Sequence, residues 1–184
     1  MATAKPSMDK VFAQLLSADD QQVLDALVTV QAQGDARAIR PMLHALAGSE
    51  DEEVRRKVTA MLYQVKVPGA VPELLAALDE EALRNERRTI LSAFWNAGLD
   101  VREHLEEFVS CAIEGDAAEC LECLTVIENQ EIWPEKAVRT SVLRVGKASE
   151  KEDDPYKAGL LAELRDHLNE RLGIRAGTCA CCWW

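Results

Sequence analysis

The sequence has no basic block. Its 184 residues carry 21 lysines and arginines against 32 aspartates and glutamates, a formal charge of −11 at pH 7, and the acidic excess is concentrated between residues 49 and 154. A surface of that sign repels phosphates and anionic lipid heads, which sets nucleic acid and membrane surfaces aside as partners. Long apolar runs are missing as well. No stretch approaches the ~18 apolar residues that span a bilayer, and the opening "MATAKPSMDK" has no apolar segment behind its charges. A cytoplasmic protein is the expectation. Nor do the cysteines form a framework: Cys111, Cys120 and Cys123 make one cluster, Cys179, Cys181 and Cys182 another. That distribution suits reduced thiols better than disulfides spread over a small secreted chain.

What is present is a repeat. In "AIRPMLHAL" and "AVPELLAAL" the apolar positions coincide at an offset of 32, Ile39 with Val71, Met42 with Leu74, Leu43 with Leu75 and Leu46 with Leu78. A third copy, "VREHLEEFV", puts Val101, Leu105 and Phe108 in the same roles at a further offset of 30, and "KAVRTSVLRV" is a looser fourth. An apolar-periodic stretch precedes each copy, for example Val23, Leu27 and Val30, or Val54, Val58, Met61 and Leu62. Spacings of three and four predict helices. Ser49 with Glu52, Asp100 with Glu103 and Asp116 with Glu119 have the spacing of capping boxes, and Gly98 and Gly115 are placed to supply left-handed stops. The expected architecture is a single all-α domain over residues 1–173, a short alpha-alpha superhelix of about four helix pairs at 17–48, 49–80, 81–115 and 116–149. One helix pair cannot bury both apolar faces alone, so neighbours stack and the ends are capped. "MDKVFAQLL" supplies the N-terminal cap, with Met8, Val11, Phe12, Leu15 and Leu16 on one side. A C-terminal capping helix over 155–172 carries Leu161, Leu164, Leu168 and Leu172, and residues 174–184 form a Cys/Trp-rich tail.

The unit "DARAIRPMLHALAGSEDEEVRRKVTAMLYQV" resembles the HEAT-repeat family. An Asp opens the second helix, a Pro sits near its start, and an acidic turn leads through a Val-Arg step into the next first helix, where Arg55 or Arg56 matches the family's basic position. Residues 92–131 are similar to a group of small bacterial HEAT-repeat proteins of uncharacterised role. The resemblance implies a HEAT-like solenoid whose second helices line a concave face that binds a protein or peptide. By periodicity the polar positions on those helices are Arg37, Arg40 and His44, then Glu73, then Glu103, Glu106 and Glu107, then Lys136, Arg139 and Arg144. The sign runs positive, negative, positive, a banding that either selects a matching partner or is only a solvated face. No cofactor is implied. HEAT-like hydroxylases hold iron with His-Glu pairs, but His44, His104 and His167 are each followed by another residue. A non-catalytic interaction module is therefore the first expectation. A thiol or metal protein and a small enzyme on the same scaffold are the alternatives.

Cys120 and Cys123 form a Cys-x-x-Cys in mid-helix, where filling a tight helix contact is expected over redox chemistry. Trp95 and Trp133 are either partner anchors or core. The tail "TCACCWW" leaves four readings open: a metal site using Cys179, Cys181 and Cys182, a double-cysteine lipid anchor, an apolar flap seated through Trp183 and Trp184, or a frayed end.

Overall fold

The structure is a computed structural model that describes residues 7–173; the tail readings lie outside the described residues. Ten α-helices and three short 3-10 turns make up its regular structure, and no strand occurs among the described residues. The fold is all-α. The helices are α1 (Met8–Leu15), α2 (Asp20–Gln33), α3 (Ile39–Gly48), α4 (Glu52–Leu62), α5 (Ala70–Leu78), α6 (Arg87–Asn96), α7 (Leu105–Glu114), α8 (Ala117–Glu128), α9 (Glu135–Ser149) and α10 (Pro155–Arg171). Two compact units divide the chain between Leu99 and Asp100.

In the first unit α2, α4 and α6 form one layer and α3 and α5 the other, with α1 packed on α2 and α3. The repeated apolar positions fill the space between them. Leu27, Ile39, Leu43, Leu46, Val54, Val58, Leu62, Leu74, Ile90 and Phe94 are all fully buried. Of the N-terminal cap, Val11 and Leu15 are buried, whereas Leu16, just past the end of α1, is 60% exposed and does not join the core as the periodicity predicts.

Two helix ends in this unit, those of α3 and α5, are closed by side chains from the next helix. Arg55 on α4 donates through Nη1 to the Leu46 carbonyl in the last turn of α3 and to the Ser49 carbonyl, while Nη2 donates to the Glu86 carboxylate at 3.1 Å. One 32-residue repeat later, Arg87 Nη1 donates to the Leu78 carbonyl at the end of α5 at 2.7 Å. The last four carbonyls of a helix have no partner inside it and carry its negative end, so a cation there answers both needs.

The second unit is a four-helix packing in which α7 lies against α8 and α9, and α10 lies across both α8 and α9. Phe108, Val109, Cys120, Cys123, Ile127, Val145, Leu161, Leu164 and Leu168 form its centre. Trp133 is core, 7% exposed, its indole N–H donating to the Ile127 carbonyl at 3.2 Å. Lys157 on α10 is buried and plays the part that Arg55 plays earlier: its Nζ donates to the Ile113 carbonyl in the last turn of α7 at 2.9 Å and pairs with Glu152 at 2.9 Å.

Of the three expected capping boxes, Asp116 with Glu119 forms in full. The other two give way to closer competitors. Asp51 caps α4, accepting from the Glu53 and Val54 amides, and Ser49 instead accepts from the Asp51 amide and donates to Asp20. Asp100 turns back on Arg102, and a 3-10 turn over Arg102–His104 intervenes before α7. Gly98 does adopt the left-handed conformation, at φ 62°, but Gly115 has φ −77°. Gly115 is required for room: a Cβ there would stand 2.7 Å from the Cys111 carbonyl oxygen.

Two stability predictions follow from the closed helix ends. Replacing Arg55 with Met orphans the Leu46 carbonyl and leaves the buried Glu86 carboxylate without its cation. After discounting for the partial exposure of Arg55, urea unfolding should show a loss of about 1–2 kcal/mol. Adding Glu86→Leu to Arg55→Met should restore part of it, because the uncompensated charge is then gone. In the second unit, the Lys157 ammonium holds the Glu152 carboxyl below its ordinary value of 4.5. A carboxyl lowered on folding stabilises above its unfolded pKa and loses that contribution as pH falls through the folded one. Lys157→Met should therefore cost more at pH 7 than near pH 3, where only the Ile113 contact is lost, as paired urea titrations would show.

Candidate partner-binding surface

Of the ten polar positions expected on the second helices, four lie in the first unit and six in the second. In the first unit they converge. Arg37, Arg40, His44 and Glu73 line one open cleft of about 360 Å³ together with Leu16 and Pro41. The local sequence explains the convergence. Asp35 accepts from the Arg37 amide at 2.9 Å, and the 3-10 turn it starts delivers the chain into α3. There Arg40 and His44, four residues apart, share one side of the helix. Pro41 sits in the first turn of α3, where a missing N–H costs nothing. Glu73 comes from the first turn of α5.

The cations of this cleft already have partners. Arg37 makes a bidentate contact with Asp35, with Nη2 to Oδ2 at 2.8 Å, and its guanidinium lies 5.8 Å from the centre of the Phe12 ring. Those hydrogen bonds hold the Asp35 carboxyl below its usual range and push the Arg37 guanidinium up. Arg40 and His44 both reach Glu80, His44 Nε2 standing 2.9 Å from Oε2 and Arg40 Nη2 against Oε1. Glu80 is the residue that sequence reasoning missed. It lies just past α5, outside the helix periodicity used to choose the others, and its acidic turn gave no signal beyond composition. A second cleft, of about 280 Å³, opens on the other side of His44 and includes Leu15, Leu16, Asp20, Val23 and Ser49.

In the second unit the expected residues form two stripes. Glu103, Glu106 and Glu107 are exposed on and just before α7, Glu107 lying 3.1 Å from His104 Nδ1. On α9, Lys136 and Arg139 are exposed, Arg139 pairing with Glu135 at 2.6 Å, and Arg144 Nη2 donates to Ser110 Oγ at 2.8 Å. Leu143 and Lys147, also exposed on α9, were not among the expected residues. The position of Leu143, seven residues after Lys136, was the available signal.

Among the described residues, the Cys-x-x-Cys pair reduces to packing. Cys120 and Cys123 are fully buried. Burial pushes the Cys120 thiol up to about 11, and the hydrogen bond to Cys111 together with burial raises that of Cys123 well above its ordinary value. Thiols held protonated are poor nucleophiles and poor metal ligands. No group of three or more His, Cys, Asp or Glu side chains able to hold a metal ion occurs among the described residues, and none of the described helices is long and apolar enough to cross a membrane.

No curated protein and no solved structure matches the chain. The family model for HEAT repeats matches residues 8–94, from the first residue of α1 into α6, and so takes in the whole of the cleft that gathers Arg37, Arg40, His44 and Glu73. Proteins of this family commonly mediate protein–protein interaction. Residues 8–94 thus match HEAT repeats, in keeping with the all-α fold.

Proposed function

We propose that this protein is a non-catalytic interaction module of the cytoplasm that binds a segment of a protein partner along its second helices. One observation supports this most: four residues selected only for their repeat position meet in a single cleft with an exposed leucine at its edge. The cleft is open to solvent, so it cannot enclose the 70–90% of a ligand's surface that small-molecule sites bury. It suits instead a side chain of an extended or helical peptide. Leu16 and Pro41 offer apolar contact, and Arg40, His44 and Glu73 offer polar groups on either side. The His44–Glu80 and Arg40–Glu80 pairs pre-set the direction of those groups, lowering the ordering cost on binding. Electrostatic matching of this sort contributes selectivity and encounter rate more than raw affinity. Buried, protonated thiols and an acidic surface support the cytoplasmic assignment.

The reading is tested with a partner recovered by affinity capture from the native host. Leu16→Asp and Glu73→Lys alter residues at the cleft without emptying the core. Each should weaken the recovered partner about tenfold or more, with the helical circular dichroism signal unchanged. Full retention of the partner by both variants would sink the assignment.

A further inference from the structure

The exposed stripes of the second unit lie outside the cleft that carries the partner-binding reading, and they form a pattern of their own. On α9, Lys136, Arg139, Thr140, Leu143 and Lys147 are all exposed and recur at three- and four-residue spacing, directly opposite the buried Val138, Ser141 and Val145. On and before α7, Glu103, Glu106, Glu107 and Glu114 are exposed opposite the buried Leu105, Phe108, Val109 and Ala112. The hydrogen bond from Arg144 to Ser110, which lies within the acidic stripe, brings the two outward faces side by side and fixes their relative height. A row of carboxylates therefore lies next to a row of cations, with Leu143, 67% exposed, on the cationic row.

We propose that this face is self-complementary and joins two copies of the chain. Consider a two-fold axis lying in the contact plane, running along the helices midway between α7 and α9. It places α7 of one copy over α9 of the other, at equal height and running in the same direction. Glu103, Glu106 and Glu107 then face the partner's Lys136 and Arg139, and Glu114 faces the partner's Lys147. Both sets of pairs form at once, as an isologous contact demands. An axis across the helices instead sets α7 on α7 and like charges together. The first arrangement is the one that the charges select.

The surface pairs Arg139–Glu135 and His104–Glu107 are exposed and local, so exchanging them for contacts with a second copy costs little. At 1.5 Å per residue, α7 and α9 are about 15 and 22 Å long, so the contact is small and belongs to the weak, reversible class. Two chains of charge −11 also repel at long range. Salt near 0.1 M, with a screening length of about 10 Å, suppresses that repulsion more than it weakens pairs in contact.

Sedimentation velocity of the full chain in reducing buffer at about 100 µM and ~0.1 M salt tests the proposal. The wild-type chain should sediment as a dimer in exchange with monomer. Glu106→Lys with Glu107→Lys in one variant, and Lys136→Glu with Arg139→Glu in another, should each weaken self-association at least tenfold. The first of these lowers the net negative charge, so its loss of association would not come from added long-range repulsion. Mixing the two variants one to one should restore the dimer, because each altered α7 then meets the altered α9 of the other chain. A wild-type chain that stays monomeric, or a mixture that does not recover, overturns the proposal.

Discussion

The interaction on which most else depends is a cation placed on the open carbonyl end of a short helix. A fold built from helices of about ten residues has many such ends. Each leaves four carbonyls without a partner and concentrates the negative end of the helix dipole. Arg55 closes α3, Arg87 closes α5, Lys157 closes α7, and Arg171 reaches the Glu128 and Glu131 carbonyls after α8. In each case the cation belongs to a different helix from the one it closes. The same bond that satisfies one helix end therefore also fixes where the next helix sits. Glu86 extends the device, since it ties Arg55 to the turn before α6. Apolar periodicity brings helix faces together without direction, whereas these bonds specify which end meets which.

The sequence made the first part of this arrangement readable and concealed the second. Helix positions followed from spacing, because Ile39, Leu43, Leu46 and their counterparts 32 residues later have to point the same way for any core to form. Arg55 was marked by its repeat position, but Lys157 was not: it arrives from a helix outside the repeats and 44 residues from its acceptor. Caps were harder still. Several acidic residues compete at each turn, and spacing alone cannot choose between Ser49 and Asp51, which differ in the amides they reach. Gly115 is a similar case. A glycine needed for room and one needed for positive φ look the same in sequence; Gly115 has φ −77°, and a Cβ added there would stand 2.7 Å from the Cys111 carbonyl oxygen.

The binding surface was legible in the same uneven way. Periodicity chose exposed positions on the second helices, and in the first unit these do meet, yet it could not say that Arg40 and His44 are joined through Glu80, some 40 positions along the chain. Nor did it single out Leu143, an apolar residue that is 67% exposed on α9. Trp133, open in sequence between anchor and core, is the opposite case. Beside a proline at a turn it could have been an anchor for a partner, but its N–H is committed to Ile127 and its ring to the core.

The two units accordingly present charge in different states. In the first, Arg40 and His44 on α3 are matched by Glu80 just past α5, so the proposed partner would have to fit an existing arrangement. On the proposed reading, the gain would come from apolar contact at Leu16 and Pro41 and from rejection of segments whose charges clash with Glu80 or Arg40. In the second, Glu135 with Arg139 and His104 with Glu107 are neighbours on the same helix or turn, and such pairs neutralise little of the field that each stripe projects. A surface of the first kind discriminates among partners, and a surface of the second kind invites a complementary charge pattern. Another copy of this chain would bring such a pattern, its acidic and cationic stripes lying side by side through the Arg144–Ser110 bond.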